Sequence, residues 1–86
     1  MLIVNLNEFK GVNEMEETYT FSRALHLMRY GGKRLGLYIA SSHECFYVEN
    51  EKLYRSIKTN GVWDSGWACN GLPDSYIMGS WVEVKE

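Results

Sequence analysis

The sequence predicts an α+β fold: one amphipathic helix packed on an antiparallel sheet of about five strands. Phe21, Ala24, Leu25 and Met28 recur at i, i+3, i+4 and i+7, a spacing that gathers them on one helix face. From Arg34 onward the apolar period changes to two, as it does in half-buried strands. Asn50-Glu51 and Asn60-Gly61 then punctuate the later runs where hairpins would turn.

Leu2 to Leu6 reads as a short strand or extended arm, and Asn7 to Glu17, with Glu14, Glu16 and Glu17 clustered, as a loop. Thr18 or Thr20 serves as N-cap of the helix, because a hydroxyl there accepts from an orphan N–H of the first turn. Gly31-Gly32 stops the helix, and Arg29, Lys33 and Arg34 place cations at the negative end of its dipole. Leu35, Leu37 and Ile39 alternate with Gly36, Tyr38 and Ala40 in a first strand, which Ser41 to Glu44 breaks. Cys45 to Glu49 and Leu53 to Lys58 are the next two strands. Val62 to Ala68 follows the Asn60-Gly61 turn as a single strand, with Gly66 marking a bulge. Ser75 to Met78 forms about one helical turn, and Trp81 to Lys85 a final alternating strand. The whole is one domain, residues 1–86, in which 1–17 is arm and loop and 18–86 is helix plus sheet.

With 86 residues there is room for only one core. A chain this short buries about 60–65% of its unfolded surface, so burial by self-association would stabilise it. Nine basic residues against eleven acidic give a net charge of −2, which disfavours a binder of long nucleic acid. A ligand with one or two phosphates needs only a few local cations. Cys45 and Cys69 show neither metal spacing nor a disulfide framework. The Met1 to Asn5 opening lacks a signal-peptide core, and no run reaches membrane-spanning length. These features predict no membrane association and a cytoplasmic protein with reduced thiols.

Catalytic patterns are missing from the sequence. No Gly-x-Ser-x-Gly, Walker-type or dinucleotide-binding motif occurs, and His26 and His43 are far apart. His43-Glu44-Cys45 has ligand-type residues, but neighbours on an extended chain point to opposite sides, whereas zinc needs about four converging ligands. The expectation is a non-enzyme without cofactor or metal. Tyr38, Tyr47 and Tyr54 fall opposite the apolar strand face, and an aromatic face left uncovered by the helix is a binding or self-association surface. The tail carries Trp63, Trp67 and Trp81 beside glycines and short polar side chains, a composition suited to stacking on a planar ligand and bonding its edge.

The order Thr20-Phe21-Ser22-Arg23-Ala24-Leu25, Met28 and Gly32-Lys33-Arg34, a strand, a tryptophan-bearing hairpin and then Asp74-Ser75 through Trp81-Val-Glu-Val-Lys-Glu86 resembles the second-type Thoeris anti-defence family of phage proteins. The resemblance spans roughly Thr20 to Glu86, and its tryptophan-containing tail is the more distinctive part. Leu37-Tyr38 stands where that pattern has a tryptophan, Ser75 where it has an aspartate, and Ser80 where it has an acidic residue. It implies a homo-oligomer, dimer or tetramer, that sequesters a cyclic ADP-ribose isomer or cyclic dinucleotide between subunits without cleaving it. On that reading Tyr38, Trp63 or Trp67 stacks on the base, the Asn70, Asp74 and Ser75 loop bonds its edge, and Lys33 and Arg34 hold phosphate. Trp81 is expected to be structural. The rival is a protein-binding inhibitor of a host defence factor, anti-CRISPR-like, using the aromatic face.

Overall fold

The computed structural model describes residues 17–85, so the expected strand at Leu2–Leu6 and almost all of the loop after it lie outside the described residues. Helix α1 runs Phe21–Gly31. The Thr20 hydroxyl caps it by accepting from the Arg23 N–H at 3.2 Å, and Gly32 ends it at φ 62°. The Lys33 N–H closes back on the Leu27 carbonyl at 3.2 Å, satisfying an end-of-helix acceptor.

Six strands follow the helix: β1 Leu35–Leu37, β2 Glu44–Glu49, β3 Lys52–Thr59, β4 Val62–Trp63, β5 Trp67–Ala68 and β6 Trp81–Glu83. A short helix α2, Asp74–Ile77, precedes β6. The antiparallel order is β4-β3-β2-β1-β6, and β5 joins the same edge of β3 as β4. The fold is therefore the α+β class that the periodicity predicts. The β2–β3 hairpin turns on Asn50 and Glu51 (φ 53° and 62°), and the β3–β4 hairpin on Asn60 and Gly61 (φ 53° and 80°). Both pairs are left-handed, as a two-residue turn matched to strand twist requires.

Side-chain alternation assigns the faces. Leu35, Leu37, Phe46 and Trp81 lie under α1 and form the core with Ala24 and Met28. Trp81 is fully buried, with ring centroids 5.3 Å from Phe21 and 5.4 Å from Phe46. Its Nε1–H donates to the Tyr76 carbonyl at 2.8 Å, so the expectation of a structural tryptophan is met. Val82 and Val84 are buried on the opposite face.

Two elements differ from the sequence reading. The first strand stops at Leu37, and Tyr38–Ala40 is a 3-10 turn. Leu35 already pairs with Phe46, so the chain must reverse before Glu44 instead of extending to Ala40. Ile39, expected on the buried face, is consequently 86% exposed. The expected single strand over Val62–Ala68 is two short strands. Asp64 Oδ1 holds the break by accepting from Ser56 Oγ (3.0 Å), Ile57 N (3.3 Å) and Gly66 N (2.9 Å), with Gly66 at φ 83°. A Cβ on Gly66 would lie 2.3 Å from the Tyr47 hydroxyl, so the break needs glycine twice over.

Candidate functional site

The break changes what the tryptophans can do. In an unbroken strand Trp63 and Trp67, four positions apart, would share a face. Here Trp63 pairs with Lys58 and Trp67 with Arg55, which are three positions apart on β3 (58 − 55 against 67 − 63). The extra residue is the bulge that Gly66 signals, and it shifts the register by one. Trp67 therefore joins the α1 side of the sheet, and Trp63 the other.

On the α1 side one row crosses five strands: Trp67, Arg55, Phe46, Leu35 and Glu83 are successive register partners. Helix α1 packs on β1, β2 and β6, and the chain from Cys69 to Tyr76 returns over the β2–β3 side. Between that segment and the sheet remains a cleft of about 180 Å³ lined by Phe46, Arg55, Cys69, Leu72, Pro73 and Tyr76. Trp67 is not part of this lining; it is 46% exposed, with the Arg55 guanidinium carbon 5.8 Å from its ring centroid.

Arg55 is held from behind. Its Nε donates to Glu44 Oε2 at 2.5 Å, and the Glu44 residue is only 3% exposed. The Tyr76 hydroxyl donates to the same carboxylate at 3.0 and 3.3 Å. Because the Tyr76 carbonyl accepts from Trp81, the core tryptophan anchors the whole chain of contacts. Burial alone would lower the Arg55 pKa, but the hydrogen bond and charge of Glu44 outweigh it and leave the group raised and cationic. Burial, then the bond to Glu44, also raises the Tyr76 phenol, which stays a neutral donor. Cys69 lies half-buried in the cleft with Sγ 3.1 Å from the Gly71 carbonyl oxygen, and both it and Cys45 are free thiols.

The sequence-predicted residues do not converge on one pocket of the protomer. Lys33 pairs with Glu83 at 3.5 Å. Arg34 lies on the opposite face of the sheet, 4.3 Å from the Tyr47 ring centroid, with Nη1 3.7 Å from Cys45 Sγ. It therefore cannot serve Trp67 within one chain. Tyr38, on the 3-10 turn and not on a strand, shares a hollow of about 230 Å³ with Ser75, Leu37, Ile39, Gly79 and Ser80. Trp63 lines an open groove of about 380 Å³ with Lys58, Ser41, Ser42, Glu83 and Lys85. Asn70 and Asp74 are exposed on the segment that closes the Arg55 cleft. Tyr47 and Tyr54 do stand opposite α1, stacked at 5.4 Å and 8°. They are half-buried, and the Tyr47 hydroxyl donates to the Ser65 carbonyl at 3.1 Å, so the broad open tyrosine face is not formed.

Glu44, Arg55 and Tyr76 were not among the sequence-derived candidates, although a signal was present. Arg55 lies between Leu53 and Ile57 at inward positions of β3, and Glu44 is in phase with Phe46 and Val48 on β2. Opposite charges on the apolar phase of neighbouring strands mark a paired buried site.

Among the described residues no three His, Cys, Asp or Glu side chains gather to hold a metal, and no helix is long and apolar enough to cross a membrane. No protein-family model matches the chain, and comparison with curated proteins and solved structures finds no match. The resemblance drawn above thus rests on its motifs alone.

Proposed function

We propose that this is a non-catalytic binding protein that captures a small planar, phosphate-bearing ligand and holds it intact. Following the tail motifs, the ligand is a cyclic nucleotide immune signal, and the protein is a phage anti-defence sponge acting in the host cytoplasm. The observation that carries the reading is the exposed Trp67 indole beside the anchored Arg55 cation, which itself lines a small cleft. An aromatic surface and a fixed guanidinium are the two things that capture of a nucleotide needs.

The cleft's volume also bears on assembly. Small-molecule sites enclose about 300–1,000 Å³, whereas this one, at about 180 Å³, suits one ring or one phosphate. A second copy would complete the enclosure. Tyr38, Ile39, Ile77 and Met78 are exposed by 58%, 86%, 44% and 83% and supply apolar surface for that contact.

The test is incubation with a panel of cyclic nucleotides, removal of free ligand, and heating to release what was bound. Intact recovery from an oligomer supports the proposal. Altered nucleotide would make the protein an enzyme, and no capture by a protein that scatters light as a monomer would refute the sponge. The second reading, a protein-binding inhibitor, draws on the same four exposed side chains. It predicts that Ile39→Asp and Met78→Asp abolish association with a host protein.

A further inference from the structure

The geometry of Arg55 points to a more specific assignment, which rests on the binding reading just given: we propose that its outer guanidinium edge is the phosphate receptor, aimed by Glu44 and Tyr76. The sequence pattern assigns that task to Lys33 and Arg34, but Lys33 pairs with Glu83 and Arg34 lies across the sheet from Trp67.

The side chain is built for the role. Its Nε donates to Glu44, and the guanidinium also hydrogen-bonds the Tyr76 phenol. The remaining N–H groups, on the outer edge of the guanidinium, are left for a ligand, on a side chain that is 38% exposed. A guanidinium fork meets two phosphate oxygens at once, and a fork already fixed at Nε loses little rotamer freedom on binding. The Glu44 negative charge does not cancel the attraction. It sits behind the guanidinium, while a phosphate at the outer edge contacts the cation directly, so the closer, opposite charge dominates. Glu44 nevertheless weakens the attraction at every ligand charge, while the cost of stripping water from the ligand rises faster than its charge, so a singly charged phosphodiester is preferred to a dianionic phosphate monoester. With the guanidinium 5.8 Å from the Trp67 ring, one nucleotide can stack its base on the indole and reach the fork. Glu44 and Tyr76 touch no ligand in this arrangement; they are positioning residues.

The experiment measures calorimetric affinities of the four ribonucleosides, their 3′,5′-cyclic monophosphates and their 5′-monophosphates. The same panel is run on the parent protein and on Arg55→Lys, Tyr76→Phe and the double variant. Arg55→Lys keeps a cation against Glu44, so the buried carboxylate is not left alone, and circular dichroism confirms each fold. The parent should bind cyclic monophosphates about 10- to 150-fold more tightly than nucleosides, and more tightly than the dianionic 5′-monophosphates. Arg55→Lys should remove most of that ratio. Tyr76→Phe should reduce it partly in the Arg55 background and not at all beside Lys, which a merely structural role for the phenol would not produce. A phosphate-dependent ratio that survives Arg55→Lys would place the phosphate on another cation and overturn this assignment alone. Equal affinity for nucleoside and nucleotide in the parent would overturn it while leaving a planar-ligand site. Binding of none of the twelve probes would remove both this assignment and the nucleotide reading.

Discussion

Replacing Trp81 by alanine removes the side chain on which both the core and the candidate site depend. The indole is fully buried, ringed by Phe21, Phe46 and Tyr76 at centroid distances of 5.3, 5.4 and 6.5 Å. Truncating such a residue costs about 3–5 kcal/mol through lost transfer energy and the cavity left behind. A chain of this length has a total stability of roughly 4–13 kcal/mol, so the change consumes a large share of it. At about 4–8 °C per kcal/mol for a domain of this size, the melting temperature should fall by about 12–40 °C. Trp81→Phe separates the two contributions. It keeps most of the ring contact but deletes the Nε1–H donor to the Tyr76 carbonyl, which still accepts from the Gly79 N–H, at a cost of about 0.5–1.5 kcal/mol. It should also loosen the Tyr76–Glu44–Arg55 chain, so ligand affinity should drop even where the protein stays folded. The assay is thermal melting followed by circular dichroism, with Trp67→Ala as comparator. Trp67 is 46% exposed and makes no core contact, so that variant should melt within a few degrees of the parent. If Trp81→Ala melts with the parent while Trp67→Ala unfolds, the division between structural and ligand-facing tryptophan is reversed.

Two further outcomes follow from the turns. Glu51 holds φ 62° in a hairpin whose counterpart at the other end of β3 has Gly61, so Glu51→Gly should relieve left-handed strain. Against the added chain entropy the net gain should be roughly 0.5–1 kcal/mol, read as a higher urea midpoint with an unchanged slope; a lower midpoint refutes the strain argument. Asp64 carries a pH dependence. Burial pushes its pKa up, but the Ser56 hydroxyl and the Ile57 and Gly66 N–H groups more than offset this and hold it below its usual 3.8. A depressed carboxylate stabilises the fold above its unfolded pKa, and that contribution disappears as pH falls through the folded value. Protection from hydrogen exchange at Ile57 and Gly66, taken relative to an unstructured chain at the same pH, should therefore fall in acid below that range, and Asp64→Asn should flatten the dependence. A loss of protection that persists in the Asn variant would move the cause elsewhere.

The fold class was legible because it depends on local periodicity. Thr20 and Gly32 bound α1 through a hydroxyl acceptor and a left-handed glycine, and these are properties of single residues. The same is true of the two hairpins. The first strand was read too long because its end is set by a partner: pairing of Leu35 with Phe46 forces the reversal, and nothing in Tyr38-Ile39-Ala40 announces it. The tyrosine face failed for a related reason. Alternation correctly placed Tyr47 and Tyr54 opposite α1, but the Asp64–Gly66 break folds back and ties up the Tyr47 hydroxyl through Ser65.

The candidate site shows where local reading ends. Composition pointed to the cations nearest the helix end and the tryptophans nearest the glycines, yet a cation and an aromatic ring cooperate only if they share a sheet face. That condition depends on a single residue of register. Without the bulge at Asp64–Gly66, Trp67 would stand with Trp63 on the face that carries Arg34 and Tyr47, and the expected partnership with Arg34 would have been open to it. With the bulge, Trp67 moves to the α1 side, where its register partner is Arg55. The charge on Arg55 is tolerated there because Glu44, eleven positions earlier, lies on the same face one strand away, and Tyr76 arrives from the far end of the chain to complete the carboxylate's hydrogen bonding. Glu44 and Arg55 would each be an isolated charge on an apolar strand phase; with Tyr76 they satisfy one another and leave only the outer edge of a guanidinium unspent. A charge on the inward phase of a predicted strand is therefore the feature to weigh in such a sequence, ahead of a charge at a helix end. The inward charge must have been paired for the sheet to form, whereas a cation at a helix end is solvated at no cost to the fold.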